Sequence, residues 1–150
     1  MNTDRIEKVT VLEAPRSRVW RAISDAGEFG AWFGLEFDGA FAPGALMQGR
    51  ITNSPDYAGI TVTFVVDRIE PEHHFSYRWH PYAVDPSVDY SIEPMTLVEF
   101  HLEEVAGGTR LTVVESGFDG IPATRRAEAL RMNTGGWEAQ VSNVERYVSG

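Results

Sequence analysis

From Pro122 to Val148 eight positions step by alternating fours and threes: Ala123, Ala127, Leu130, Thr134, Trp137, Val141, Val144 and Val148. At about 3.6 residues per turn they fall within a stripe of roughly 100°. The chain therefore ends in a long amphipathic helix, and that helix needs a broad apolar surface to cover it. The simplest partner is a sheet curled around the helix, which leaves space between the two. Only Thr134 is polar within the stripe, and Gly135 and Gly136 follow it directly. Each glycine costs a helix interior about 1 kcal/mol relative to alanine. Together that is about 2 kcal/mol, against a net stability of roughly 5–15 kcal/mol for a small domain. Two readings of the pair are open. The missing side chains let a neighbouring backbone approach while Trp137 fills space toward the sheet and Thr134 presents a hydroxyl to a cavity wall. Alternatively they relieve crowding against other helices.

The rest of the chain supplies the sheet. Ile6–Glu13 alternates and is β-branched, with Val9 and Val11 on one face, and reads as a first strand. Pro15 is placed to begin a helix whose inner stripe is Val19, Ala22 and Ile23, with Trp20 at its edge. Asp25 is placed to cap a second short helix, EFGAWF, ending at Gly34. From Glu36 to Ser116 the character is all β. Ile60, Val62, Phe64 and Val66 alternate, and the pattern breaks before Ile69, as at a bulge. Phe75, Tyr77 and Trp79 share a face, as do Val98, Phe100 and Leu102, opposite Glu99, His101 and Glu103. Leu111 and Val113 share theirs with Glu115, so the carboxylate points inward and needs a partner or a ligand. Between these strands His80–Pro94 holds three prolines and no period, and reads as a long functional or mobile loop.

Whole-chain quantities set limits. The 150 residues, 43% hydrophobic and 23% charged, suit one soluble domain spanning residues 1–150. A net charge of −9 argues against nucleic acid or an anionic membrane as partner. No apolar run approaches the ~18–20 residues of a membrane helix, and the opening residues carry no secretory signal, so the expected location is the cytoplasm. With no cysteine there is no thiol nucleophile, disulfide or thiolate metal site.

Chemistry-bearing patterns are sparse. His73, His74, His80 and His101 lack the helical spacings of zinc sites, so no metal ligand and no cofactor is assigned. There is no GxSxG elbow, phosphate loop or dinucleotide fingerprint, and no catalytic residue is assigned. Glu115 is the best acid candidate. Burial against Tyr77 and Trp79 would raise its pKa, and a plain structural reading pairs it instead with Arg78, Arg110 or a backbone donor. Trp32, Phe33, Tyr77, Trp79, Tyr82, Phe100, Phe118 and Trp137 come from segments that would surround one space, with Leu130, Thr134, Val141 and Glu115 completing a candidate ligand-binding set. Such aromatics equally build a core.

The chain resembles a known family. The segments that carry the likeness are APRSRVWRAISDAGEFGAWF, VVDRIEPEHHFSYRW, TLVEFHLEEVAGGTRLTVVESGF and the GGW of the last helix. Together they are similar to the activator of heat shock protein 90 ATPase homologues, of the START-like, birch-pollen-allergen-like (SRPBCC) superfamily. The resemblance implies an α+β helix-grip fold: a curved antiparallel sheet around a long C-terminal helix, with two short helices after the first strand. It implies a largely apolar cavity between sheet and helix, used across the superfamily for lipids, hormones or polyketides. The eukaryotic namesake carries a further N-terminal domain that contacts the chaperone, and 150 residues leave no room for it. The leading expectation is a binding protein for a small apolar or aromatic molecule. The alternatives are a chaperone-ATPase-activating partner with a stress-response role, and a cyclase- or dehydratase-type enzyme using Glu115. A monomer and a homodimer are both compatible with the sequence.

Overall fold

The computed structural model describes residues 4–57 and 60–149. In chain order these form β1 (Arg5–Leu12), α1 (Arg16–Ser24), α2 (Ala26–Phe33), β2 (Leu35–Phe37), β3 (Leu46–Ile51), β4 (Thr61–Glu70), β5 (His74–Trp79), β6 (Thr96–Val105), β7 (Gly108–Ser116) and α3 (Ala123–Ser149). The seven strands make one antiparallel sheet in the order β1-β7-β6-β5-β4-β3-β2. It curves around α3, which lies nearest β1, α1 and α2. This is the helix-grip fold.

Local chemistry explains the opening. Pro15, extended at φ −61° and ψ 151°, is the N-cap of α1 rather than its first residue. Val19, Ala22 and Ile23 are the buried face of that helix. Asp25 accepts the Glu28 N–H at 3.0 Å, capping α2, and Gly34 closes it in the left-handed region at φ 93°. The chain can then turn directly into β2 because Gly30 has no side chain: a Cβ there would lie 2.1 Å from the Leu35 carbonyl oxygen. The indole N–H of Trp32 donates to the Ala22 carbonyl at 2.8 Å and locks the two helices together.

The register of the sheet shifts between Val66 and Arg68, so the break before Ile69 is a β-bulge. The inward faces of the strands and α2 meet in an aromatic core. Phe29 sits at its centre, with ring centroids of Trp32 and Phe33 at 4.8 Å and those of Phe41, Phe64, Tyr77 and Phe100 between 5.6 and 6.2 Å. Phe64 stacks on Tyr77 at 3.9 Å. Trp137 brings α3 to this core, against Phe33, Trp79 and Phe100.

One expectation about faces holds on β1, and one needs correction on α3. Val9 and Val11 share a face, but it is the outer one, and both are exposed; Ile6 and Leu12 point inward. On α3 the stripe holds at Trp137, Val144 and Val148, with Leu130 and Val141 packed beside the core. It fails in the first turns, where Ala123 and Ala127 are exposed and Ala129 is buried. There Arg125 and Arg126 turn toward the protein instead, Arg125 to a loop carboxylate and Arg126 to the Ile121 carbonyl. Ion pairing there outweighs apolar periodicity.

Candidate functional site

Glu115 lies near the end of β7 and is completely buried. No cation meets it. Its Oε1 accepts from Asn133 Nδ2 at 2.9 Å and from the indole N–H of Trp137 at 2.8 Å, both on α3. Its Oε2 accepts from the indole N–H of Trp79 at 2.6 Å and the Thr96 hydroxyl at 2.5 Å. Strand ends β5, β6 and β7 and the long helix are thus joined at one carboxyl group. Four donors meet four acceptor positions, the full capacity of a carboxylate. Neither Arg78 nor Arg110 is the partner; Arg110 pairs with Glu103 on the outer face. Burial pushes the Glu115 carboxyl above the ordinary range for Glu, while the four donors pull against that shift. Beside it the Tyr77 hydroxyl is buried without a partner, and burial and the neighbouring carboxylate hold the phenol protonated.

Two of those donors form part of a wall. Trp79 and Asn133 line a cleft of about 590 Å³, together with Phe33, Asn53, Tyr57, Tyr82, Tyr90 and Gln140. Its other lining residues come from β2, β3, β4 and the loop 80–95, and none of the described lining residues is Asp, Glu, Lys or Arg. His80 is its one ordinarily titrating group, and burial lowers its pKa, which favours the neutral imidazole. A side pocket of about 170 Å³ adjoins the cleft through Phe33, Trp79, Asn133 and Gln140 and reaches Gly136 and Trp137. The cleft is polar enough to orient a ligand and apolar enough to bury one.

The loop 80–95 is held in place as a wall. Arg125 of α3 binds Glu93 through two nitrogens at 2.6 and 2.9 Å and the Pro81 carbonyl at 2.8 Å, and its guanidinium lies 4.8 Å from the Tyr90 ring centroid. Tyr82, which faces the cleft, takes a left-handed backbone conformation at φ 50°, a strained state of the kind that clusters at ligand sites.

The structure divides the aromatic set expected from sequence. Phe33, Trp79 and Tyr82 line the cleft, and Trp137 lines the side pocket. Trp32, Tyr77, Phe100 and Phe118 belong to the closed core instead, the first three in ring-to-ring contacts. Leu130 and Val141 pack at the edge of that core. Thr134 presents no hydroxyl to a cavity; its Oγ1–H donates to the Leu130 carbonyl at 2.7 Å, one turn back on its own helix. Nor do the glycines admit a neighbouring backbone or relieve crowding, since a Cβ at Gly135 or Gly136 would meet nothing within 4 Å.

A family model described as "Activator of Hsp90 ATPase homolog 1-like protein" matches residues 13–149. The chain belongs to this family. No curated protein matches it. Among solved structures it is similar to protein MLL2253 from Mesorhizobium loti, at 25% identity and TM-score 0.75, covering 97% of this chain and 96% of that one. It is equally similar to DynU16, a protein of the dynemicin biosynthetic locus, at 25% identity and TM-score 0.73, covering 97% of this chain and 47% of that one. The Aha1 dimer from Colwellia psychrerythraea shares the fold, at 15% identity and TM-score 0.70 over 94% and 92% of the two chains. No helix among the described residues is long and apolar enough to cross a membrane.

Within this family member the cleft rests on residues that apolar patterning passes over. Asn133 and Gln140 flank Trp137 at four and three residues, and so share its face of α3. Polar residues at inward-facing helix positions were the available signal. Asn53, Tyr57 and Tyr90 came from segments without a period and gave none.

Proposed function

We propose that the protein binds a small neutral molecule, largely apolar or aromatic and carrying a hydroxyl or N–H donor, in the 590 Å³ cleft. One observation carries the reading: none of the described lining residues of the cleft is a carboxylate, Lys or Arg, and the Asn133 amide in its wall is oriented by Glu115. With Nδ2 committed to the carboxylate, Asn133 Oδ1 is left as an acceptor for the ligand. Glu115 acts here as a positioning residue, fixing two indoles and one amide, and its four donors leave it no acceptor position for proton transfer with a substrate. This sets binding ahead of a cyclase- or dehydratase-type reaction. Membership in the family and the likeness to DynU16, from a biosynthetic locus, support a small-molecule role.

Native mass spectrometry of the protein isolated from its source tests the proposal. The expected result is a bound neutral species that is released on denaturation and absent from Gly136→Leu, whose side chain would enter the side pocket. Retention of that species by a folded Gly136→Leu protein would count against the cleft. The family description and the likeness to the Colwellia Aha1 dimer favour a second reading, activation of an Hsp90-type ATPase. An ATPase rate raised by this chain, and raised equally by Gly136→Leu, would favour that reading over the first.

A further inference from the structure

On the face of the sheet away from the core, the β5–β6 register sets His74 directly opposite His101. Glu99 lies two residues before His101 on β6 and therefore points to the same side. The two Nδ1 atoms are 3.3 Å apart, and Glu99 Oε2 is 3.6 Å from His101 Nε2. One donor atom from each of the three residues lies within 4.8 Å of the other two. The two histidines border a groove of about 400 Å³ that shares no residue with the ligand cleft and also includes Arg68, Glu70, His73, Glu103 and Arg110. Arg68 pairs with Glu70 and Arg110 with Glu103, so the flanking positive charge is locally balanced.

His74 is only 5% exposed, yet among the described residues its Nε2 has no partner and its Nδ1 meets only the other imidazole. A polar ring is rarely buried with so little compensation. The 3.3 Å separation is long for a hydrogen bond, but it suits two ligands of one ion. Zinc–nitrogen bonds of about 2.0–2.1 Å at tetrahedral angles place two nitrogens roughly 3.3–3.4 Å apart.

We propose that His74, Glu99 and His101 bind one divalent ion of the zinc class through two imidazoles and one carboxylate, with the remaining position open to water. The chemistry fits the donor set: imidazole and carboxylate without thiolate, on adjacent positions of a rigid antiparallel pair. Helical spacing in the sequence could not reveal it, because the two histidines meet across strands, 27 residues apart.

Titration calorimetry with zinc chloride, and cobalt chloride followed by visible absorption, tests the site on the full chain. One equivalent of zinc should bind, and cobalt should give the intense bands of a four-coordinate nitrogen–oxygen site. His101→Ala, at a half-exposed position that should tolerate it, removes a ligand and should weaken zinc binding by more than the roughly 10- to 100-fold typical of losing a residue that only orients one, while the metal-free melting temperature holds. His73→Ala, which supplies no ligand atom to the cluster, should leave the affinity essentially unchanged. Glu99→Gln should weaken binding without unfolding the protein, which covers the case in which a His74 variant fails to fold. Absence of saturable binding up to millimolar zinc, unchanged affinity in His101→Ala, or loss of binding in His73→Ala alone would each overturn the proposal.

Discussion

Replacing Gly135 and Gly136 by alanine should make the protein more stable. Both lie inside α3 with negative φ, and a Cβ at either would meet no atom within 4 Å. The only large term is then intrinsic helix preference, about 0.8–1.0 kcal/mol for each substitution. Adjacent residues on a helix do not face one another, so the two should add to about 1.6–2.0 kcal/mol. For a chain of this length each kcal/mol moves the melting temperature by about 2–4 °C, so the double variant should melt about 3–8 °C higher. Circular dichroism melts of the two single variants and the double variant measure this directly. A melting temperature that is unchanged or lower would refute the reasoning, because it would mean something does approach the helix there. The stability forgone fits the binding proposal: Gly136 borders the side pocket beside Trp137, and a side chain there would encroach on it. Gly136→Leu should accordingly keep or raise the melting temperature while reducing ligand uptake.

Other outcomes follow from the same contacts. Because the folded-state pKa of Glu115 is raised, its contribution to stability is present below its ordinary value of 4.5 and is lost as pH rises through the raised value. Glu115→Gln removes that dependence, so the variant's melting temperature relative to the parent should improve as pH rises over that window; a difference that stays flat with pH would contradict the assignment. Arg125→Ala strips Glu93, whose side chain is 10% exposed, of its cation and frees the Pro81 carbonyl, at a cost of about 1.5–3 kcal/mol. Hydrogen exchange at Tyr90–Glu93 should quicken and ligand affinity should fall, whereas unchanged exchange would show that another contact holds the loop. Gly30→Ala forces a methyl to within 2.1 Å of the Leu35 carbonyl oxygen and should lower the melting temperature by several degrees, since backbone must shift to admit it, at about 1–3 kcal/mol.

The fold was legible because its elements are periodic and locally capped. The Val19–Ala22–Ile23 stripe, the Asp25 cap, the bulge before Ile69 and the alternation around Phe100 each encode a local geometry that the structure repeats. The inward direction of Glu115 followed from strand parity alone. Its partners did not, because indole N–H groups and an amide can replace a cation, and nothing in a strand's pattern specifies which. The cleft was only partly legible. Trp79 lines it, but Tyr77 on the same face of β5 and Phe100 on the inward face of β6 are sealed in the core. Parity fixes the side of a sheet a residue occupies and leaves undetermined how far along the sheet the packing closes. The start of α3 was misread because Arg125 there serves the loop, a long-range pairing that helical periodicity does not encode.

Four tryptophans give the central claim a direct readout. Trp79 and Trp137 donate their indole N–H groups to Glu115 beside the cleft and its side pocket, whereas Trp32 donates to Ala22 away from both, and Trp20 lies at the edge of α1. Titrating the isotope-labelled protein with N-phenyl-1-naphthylamine, a neutral aromatic amine, should shift the Trp79 and Trp137 indole resonances saturably and leave those of Trp20 and Trp32 in place. Saturable shifts confined to Trp20 or Trp32, or no saturable shift at all, would contradict a ligand cleft built over Glu115.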